Sequence, residues 1–282
     1  MSRRVLIVIG QVLSEPWLSI TREGQFPTWL ADAHKAGIPV RHSHGNRLGS
    51  LGQRLDRWHE AARWHPRGRR IVPALDRLIG SPFYGRVQQV RTTRFIAPES
   101  VAWHQDLPDY YALQRWKVIG SMATALADPE PWDVVYFTTA SSYVRLGGLQ
   151  ERIDALPATM AYAGTRHVDA ISGAVFASGA NRAFSRDLVE AIVANRTDYR
   201  NDVMEDVGVG RLAQLLGADL TPWPSMNLDS LEALDRASDA ELLAQFHFRL
   251  TSGPRENRQD ARIMRALHAR LKAISGDERV TS

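Results

Sequence analysis

The hydrophobic positions of this chain follow two periods. Val5 to Ile9 is an unbroken apolar run ending at Gly10, and Val134-Val135-Tyr136-Phe137 is another, preceded by Asp133 and followed by small residues, Thr138 to Ser142. Short apolar runs between turn-formers predict strands buried on both faces. Residues 10–20 read as the loop after the first strand. Residues 26–36 carry Phe26, Trp29, Leu30 and Ala33 at helical spacing, Gly37 stands at the C-cap position, and Ile38-Pro39-Val40 begins another strand. This predicts a β-α-β unit with parallel strands.

The same reading predicts an amphipathic helix over 48–64, a strand over 86–94 and a helix over 110–126. In the last of these, Leu113, Trp116, Ile119, Ala123 and Leu126 fall on one stripe, and Asp128-Pro129-Glu130-Pro131 ends it. Beyond the second apolar run come a short helix over 149–156 and strands over 161–163 and 174–177. Ser185 is placed to cap a helix over 186–194, and another helix spans 204–216 with Asp202, Glu205 and Asp206 crowding its start. Residues 220–223 lead into a strand or loop, and from Leu228 the chain reads as a helical tail interrupted at 245–249. Alternating strands and helices predict an α/β fold: a Rossmann-like, mixed, mostly parallel sheet flanked by helices, with a helical C-terminal tail. Ligands of such folds bind at the C-terminal ends of the strands, where Thr138 to Ser142 stand. No repeat or linker divides residues 1–282, so a single domain is expected.

Composition narrows the chemistry. With 44% apolar and 23% charged residues over 282 positions, the chain is not disordered. The absence of cysteine excludes disulfides, thiolate zinc sites and a cysteine nucleophile, and fits a cytoplasmic location. No apolar run approaches a membrane span, so any membrane contact would be peripheral, at the inner face. The turn after the first strand lacks GxGxxG, which disfavours a dinucleotide site, and no GxSxG elbow points to a serine hydrolase.

The net charge of +4 rests on arginine, since only Lys35, Lys117 and Lys272 are lysines. Arg47, Arg54, Arg57, Arg63, Arg67, Arg69 and Arg70 are interleaved with Trp58 and Trp64. They form either a patch for phosphates of nucleic acid or an anionic membrane, or the solvated face of an amphipathic helix. Helical spacing of the apolar residues favours the solvated face, and a nucleic-acid partner is disfavoured. His42 and His44 share one face of a strand, but no third metal ligand accompanies them. Asp202, Glu205 and Asp206 offer a carboxylate cluster for a metal, or a complement to a helix dipole. Trp17, Trp29 and Trp103 are either stacking platforms for a base or sugar, or core aromatics.

Four segments resemble the fringe and β-1,3-galactosyltransferase group of glycosyltransferases, which have the GT-A fold. Arg22 followed by Thr28-Trp29 resembles that group's arginine-rich stretch ending in Thr-Trp. Asp109-Tyr110-Tyr111, Leu113 and Lys117 resemble the helix before its metal motif, and residues 132–144 resemble the strand that carries the motif. Ala177-Ser178-Gly179-Ala180 with 185–189, then Glu205-Asp206-Val207-Gly208-Val209-Gly210, resemble its two late motifs. The match spans about residues 3–224. It implies a bacterial hexosyltransferase-like enzyme of glycan biosynthesis with a nucleotide-binding half (1–144), an acceptor half (145–225) and a helical C-terminal segment (226–282). Its donor would be a nucleotide sugar, UDP-linked by this resemblance, and its acceptor a glycan or a lipid-linked sugar.

One departure changes the expected chemistry. The group's strand ends in two carboxylates that hold a divalent ion, whereas the aligned residues here are Thr139-Ala140-Ser141. Hard cations want carboxylate oxygens, so either no metal is used, which is the expectation, or one is bound weakly through other groups; no other cofactor is expected. The leaving diphosphate would be held by hydroxyls and cations instead: Thr139, Ser141 and Ser142, with Arg22, Lys117, His247 and Arg249. The resemblance makes Asp206 the general base of an inverting transfer, with Glu205 and Gly179 in acceptor binding or support. A non-catalytic nucleotide-sugar or glycan binder is the alternative reading, and a basic nucleic-acid binder is a third.

Overall fold

The apolar run after Arg4 forms β1 (Val5–Gly10), and it lies near the centre of the main sheet. In this computed structural model the described residues are 2–65, 68–80, 82, 86, 89–97, 100–110, 113–170, 172–200, 203–252 and 257–276, without the side chains of 60, 63, 64, 69, 70 and 73. Arg67, Tyr111 and Asp202 lie outside the described residues, as do the side chains of Arg63, Trp64, Arg69 and Arg70.

After β1 the chain is helical sooner than expected. A turn of helix, α1 (Trp17–Ile20), runs into a π-helical turn (Thr21–Gln25), and only then into α2 (Trp29–Lys35). Gly37 follows α2 with φ +67°, a conformation that favours glycine, and β2 (Val40–Asn46) pairs parallel to β1. Two helices follow, α3 (Ser50–Trp64) and α4 (Gly68–Gly80), then the antiparallel pair β3 (Val90–Arg94) and β4 (Val101–Pro108). Helix α5 (Gln114–Leu126) leads to β5 (Val134–Thr139), the second apolar run, which pairs parallel to β1.

A two-residue turn then sends the chain into β6 (Ser142–Val144) and α6 (Leu146–Asp154). Strands β7 (Tyr162–Val168) and β8 (Val175–Ser185) form an antiparallel pair, followed by α7 (Arg186–Ala194), α8 (Glu205–Leu215) and β9 (Leu220–Pro222). Ser185 does precede α7, but its hydroxyl donates to Asp187 rather than capping a backbone N–H. The main sheet runs β3-β4-β2-β1-β5-β8-β7-β9, and four of its seven pairings are parallel. It is therefore a mixed, mostly parallel α/β sheet with helices packed on it. One apolar layer gathers Val5, Ile7, Ile9, Trp29 and Leu30 with residues of the C-terminal segment, and the other gathers Leu6, Val8, Ile119, Met122 and Leu188.

The expected helical tail is helical only in part. Beyond β10 (Met226–Leu228) come the short helices α9 (Leu231–Arg236) and α10 (Asp239–Ala244), then β11 (His247–Leu250), then α11 (Asp260–Ser275). β11 pairs with β10 on one side and with β6 on the other. The interruption at 245–249 is thus a buried strand, and it brings the C-terminal segment against the end of β5. Among the described residues no helix is long and apolar enough to cross a membrane.

Candidate active site

Thr139 ends β5, and Ala140 and Ser141 make the turn into β6. Side-chain hydrogen bonds fix this turn. Gln25 Nε2 donates to the carbonyls of Thr139 (3.1 Å) and Ser142 (3.3 Å), and Trp29 Nε1 donates to Ser142 O at 3.1 Å. Thr139 Oγ1 and Ser142 Oγ share a hydrogen bond of 3.1 Å. Because β11 runs antiparallel to β6 with Arg249 opposite Ser142, Arg249 Nη1 donates to Thr139 Oγ1 at 2.5 Å and to Ser141 Oγ. The strand tip therefore carries a guanidinium held by two hydroxyls.

This tip forms part of a cleft of about 350 Å³ lined by the ends of β1 and β5, the middle of β8, the first turns of α5 and α8, and Arg249. Facing residues come from β8 and α8. Glu205 and Asp206 begin α8, where the helix dipole favours carboxylates. Arg182, buried on β8, forms an ion pair with Glu205 Oε1 at 2.5 Å and lies over the rings of Phe137 and Phe184. Asp206 accepts from the backbone N–H of Val207 at 3.0 Å and from that of Gly179. Gly179 also lets the strand approach Glu205, since a Cβ there would meet Glu205 Oε2 at 3.3 Å. Burial raises the Asp206 carboxyl above its ordinary range, partly offset by Arg182, and raises Glu205 in the same way.

The residues picked out from sequence divide into two sets. Lys117, Thr139, Ser141, Gly179, Glu205, Asp206 and Arg249 all line the cleft. Lys117, however, is buried in an ion pair with Asp109, whose other oxygen accepts from Leu13 N at 3.2 Å, so its charge is already matched. Arg22, Ser142 and His247 are not among the lining residues. Arg22 is exposed on the π-helical turn, and Ser142 is buried behind the tip. His247 is buried with Nδ1 2.7 Å from Ser225 Oγ, and burial, reinforced by Arg249, pushes its pKa down to about 3. It packs on β11 beneath the tip.

Of the three tryptophans, Trp17 lines the cleft with Arg258 stacked on it, Trp29 braces the tip, and Trp103 is core. His42 is stacked between Phe26 and Phe95, and His44 between Phe95 and His104. Both rings are buried within this aromatic stack. Arg182 and Arg115 were not singled out from the sequence. Their signal was a charged residue inside a strand or an apolar helix face, a position that demands a buried partner.

A divalent cation does not fit the strand tip. Its donors are hydroxyls rather than carboxylates, and a guanidinium already occupies the space between them. Among the described residues no three His, Asp or Glu side chains are grouped to hold a metal ion.

No family model matches the chain, and no curated protein sequence matches it. Among solved structures it is similar to the mannosyltransferase PcManGT from Pyrobaculum calidifontis in complex with GDP-Man and Mn2+, with a TM-score of 0.41 and 13% identity. The match covers 100% of this chain and 66% of that one, so this chain spans just under two thirds of its length.

Proposed function

We propose that this protein is a GT-A-like glycosyltransferase of the inverting, metal-independent kind, moving a sugar from a nucleotide-sugar donor to a glycan or lipid-linked acceptor. The observation that carries this reading is the division of one cleft between a cationic, hydroxyl-lined strand tip and a pair of carboxylates at a helix start. A sugar nucleotide presents a diphosphate and an electrophilic anomeric carbon, and the two sides of the cleft match those two demands.

The acceptor hydroxyl oxygen attacks the anomeric carbon while the bond from that carbon to the diphosphate oxygen breaks. Asp206 takes the hydroxyl proton. Its raised pKa makes it a stronger base than an exposed aspartate. Glu205 is engaged by Arg182, which leaves Asp206 as the base and Glu205 as its support. The nucleoside diphosphate departs with added negative charge, which Arg249 and the hydroxyls of Thr139 and Ser141 stabilise. Thus a fixed guanidinium stands in for a bound metal. The donor-binding half is residues 1–144, joined by β11. Trp17 supplies a face for the base or the sugar.

A melting-temperature screen of UDP- and GDP-linked sugars, with and without manganese, tests the reading. A ligand that binds the native state raises the melting temperature. The expected result is a shift with one nucleotide sugar that is the same in EDTA. No shift with any nucleotide sugar would remove it.

A further inference from the structure

The helical hairpin of α3 and α4 packs Val72 and Ile79 inward beside a polar anchor, yet turns five large apolar side chains out. On α3 the less exposed positions are Gly52, Gln53, Asp56 and His59. His59 Nε2 lies 2.9 Å from Asp76 Oδ1 of α4, and Asp76 Oδ2 lies 3.2 Å from Arg115 Nη2 of α5, all three buried. This anchor fastens the hairpin to the domain. Leu51, Leu55 and Trp58 recur at i, i+4 and i+7, so they form one stripe along α3, bordered by Arg54 and Arg57. On α4, Ile71, Ala74 and Leu78 form a second stripe opposite the buried Val72 and Asp76. Leu51, Leu55, Trp58, Ile71 and Leu78 are between 51% and 71% exposed, and they are five of the eight large hydrophobic residues exposed among the described ones.

We infer that this hairpin is a docking surface for an anionic lipid bilayer. Large apolar side chains held in water are costly, and a concentrated set of them marks a surface that something covers. Charge decides among occupants. The exposed charged side chains described on the two helices are Arg54, Arg57 and Arg77, with Arg47 just before α3, and none is acidic. A helix with an apolar stripe bordered by arginines lies in the headgroup region, with its leucines and tryptophan in the acyl boundary and its guanidinium groups on phosphate. A second copy of the chain would bring arginine against arginine at the same border.

The hairpin also touches the cleft. Asp56 of α3 lines it, and Arg47, Leu48, Gln53 and Asp56 together with Leu13 and Asp109 line a small adjoining cavity. A docked hairpin therefore places the cleft mouth near the headgroups. Resting on the glycosyl-transfer reading, this favours a lipid-linked acceptor over a soluble glycan. The docking itself does not depend on that reading.

The test is co-sedimentation of the full chain with vesicles of phosphatidylcholine alone and of phosphatidylcholine with phosphatidylglycerol. The wild type is expected to pellet with the anionic vesicles only, and less at high salt. Combined Leu51→Ser, Leu55→Ser and Trp58→Ser should weaken binding roughly tenfold or more. Arg54→Gln with Arg57→Gln should weaken it about fivefold for each charge removed. Both variants leave the His59–Asp76–Arg115 anchor intact, so unchanged circular dichroism and melting temperature are expected. Absence of pelleting, pelleting that ignores these substitutions, or a dimer by light scattering that the triple variant abolishes without any vesicle binding would each overturn the proposal. Failure to detect sugar transfer would leave the vesicle result standing.

Discussion

Arg249, near the end of the chain, places Nη1 2.5 Å from Thr139 Oγ1, the last residue of β5. The two lie 110 positions apart, and the small sheet of β10, β11 and β6 joins them. A cation delivered by a strand is less mobile than one on a loop, and a preorganised charge stabilises a leaving group without reorganising first. Arg249→Gln is therefore expected to lower kcat/KM by roughly 10²–10³-fold, the scale of losing one preorganised donor. Arg249→Lys should recover little, because an ammonium cannot span two hydroxyls as a fork does. Steady-state kinetics on the three proteins checks both.

Asp206→Asn should lower kcat by roughly 10²–10⁴-fold, the scale of general-base catalysis, with donor binding retained. In the wild type the acidic limb of kcat should lie above the ordinary aspartate range, because burial raises the carboxyl. Rates fall as pH drops through that raised value and the base becomes protonated. A pH profile whose acidic limb follows an unshifted carboxylate would contradict the assignment.

The same burial predicts a trade between activity and stability. A carboxyl whose folded pKa is raised binds its proton more tightly in the native state. Its contribution to stability is present at low pH and is lost as pH rises through the folded value. Asp206→Asn should therefore melt higher than the wild type at pH 8, with the difference shrinking toward pH 4. Equal melting temperatures at both pH values would show that the carboxylate bears no desolvation cost.

Arg182→Met removes the partner of a largely buried carboxylate. Breaking one side of a buried pair costs roughly 3–5 kcal/mol, whereas replacing both partners costs far less. Arg182→Met together with Glu205→Leu should recover much of the loss seen in Arg182→Met alone. Urea unfolding of the single and double variants measures this coupling.

His42 makes a further prediction, for acid. Burial, reinforced by the nearby His44 and His34, lowers its pKa from 6.5 to about 3. A depressed histidine adds stability above its unfolded pKa and loses it as pH falls. His42→Phe, which keeps the ring stack with Phe26 and Phe95, should flatten the loss of stability between pH 6.5 and about 3.

How much of this was legible in the sequence depended on where polar side chains went. β1, β5, α5, α7 and α8 follow uniform apolar patterns, and their order predicts the α/β sheet. β4 does not stand out as a strand because its fifth residue, Gln105, is polar yet fully buried, its amide nitrogen donating to Ser43, Ser121 and the Lys117 carbonyl. β8 runs further than expected for the same reason, with Asn181 and Arg182 buried inside it and partnered by Tyr136 and Glu205. β11 has four residues and alternates too briefly to stand out from the helices around it. Most of the cleft-lining candidates came from motif order, whereas the pairing of Arg249 with the strand tip needed the tertiary fold. The outward apolar stripe of α3 reverses the usual inference from helical periodicity, which would have buried it.

The most direct test of the central claim is nucleoside diphosphate release from a panel of sugar nucleotides in EDTA, for the wild type and Arg249→Gln in parallel. The account predicts acceptor-stimulated release by the wild type in EDTA, and its near-complete loss in the variant. Release that requires manganese and ignores the Arg249 substitution, or no release from any donor, would contradict it.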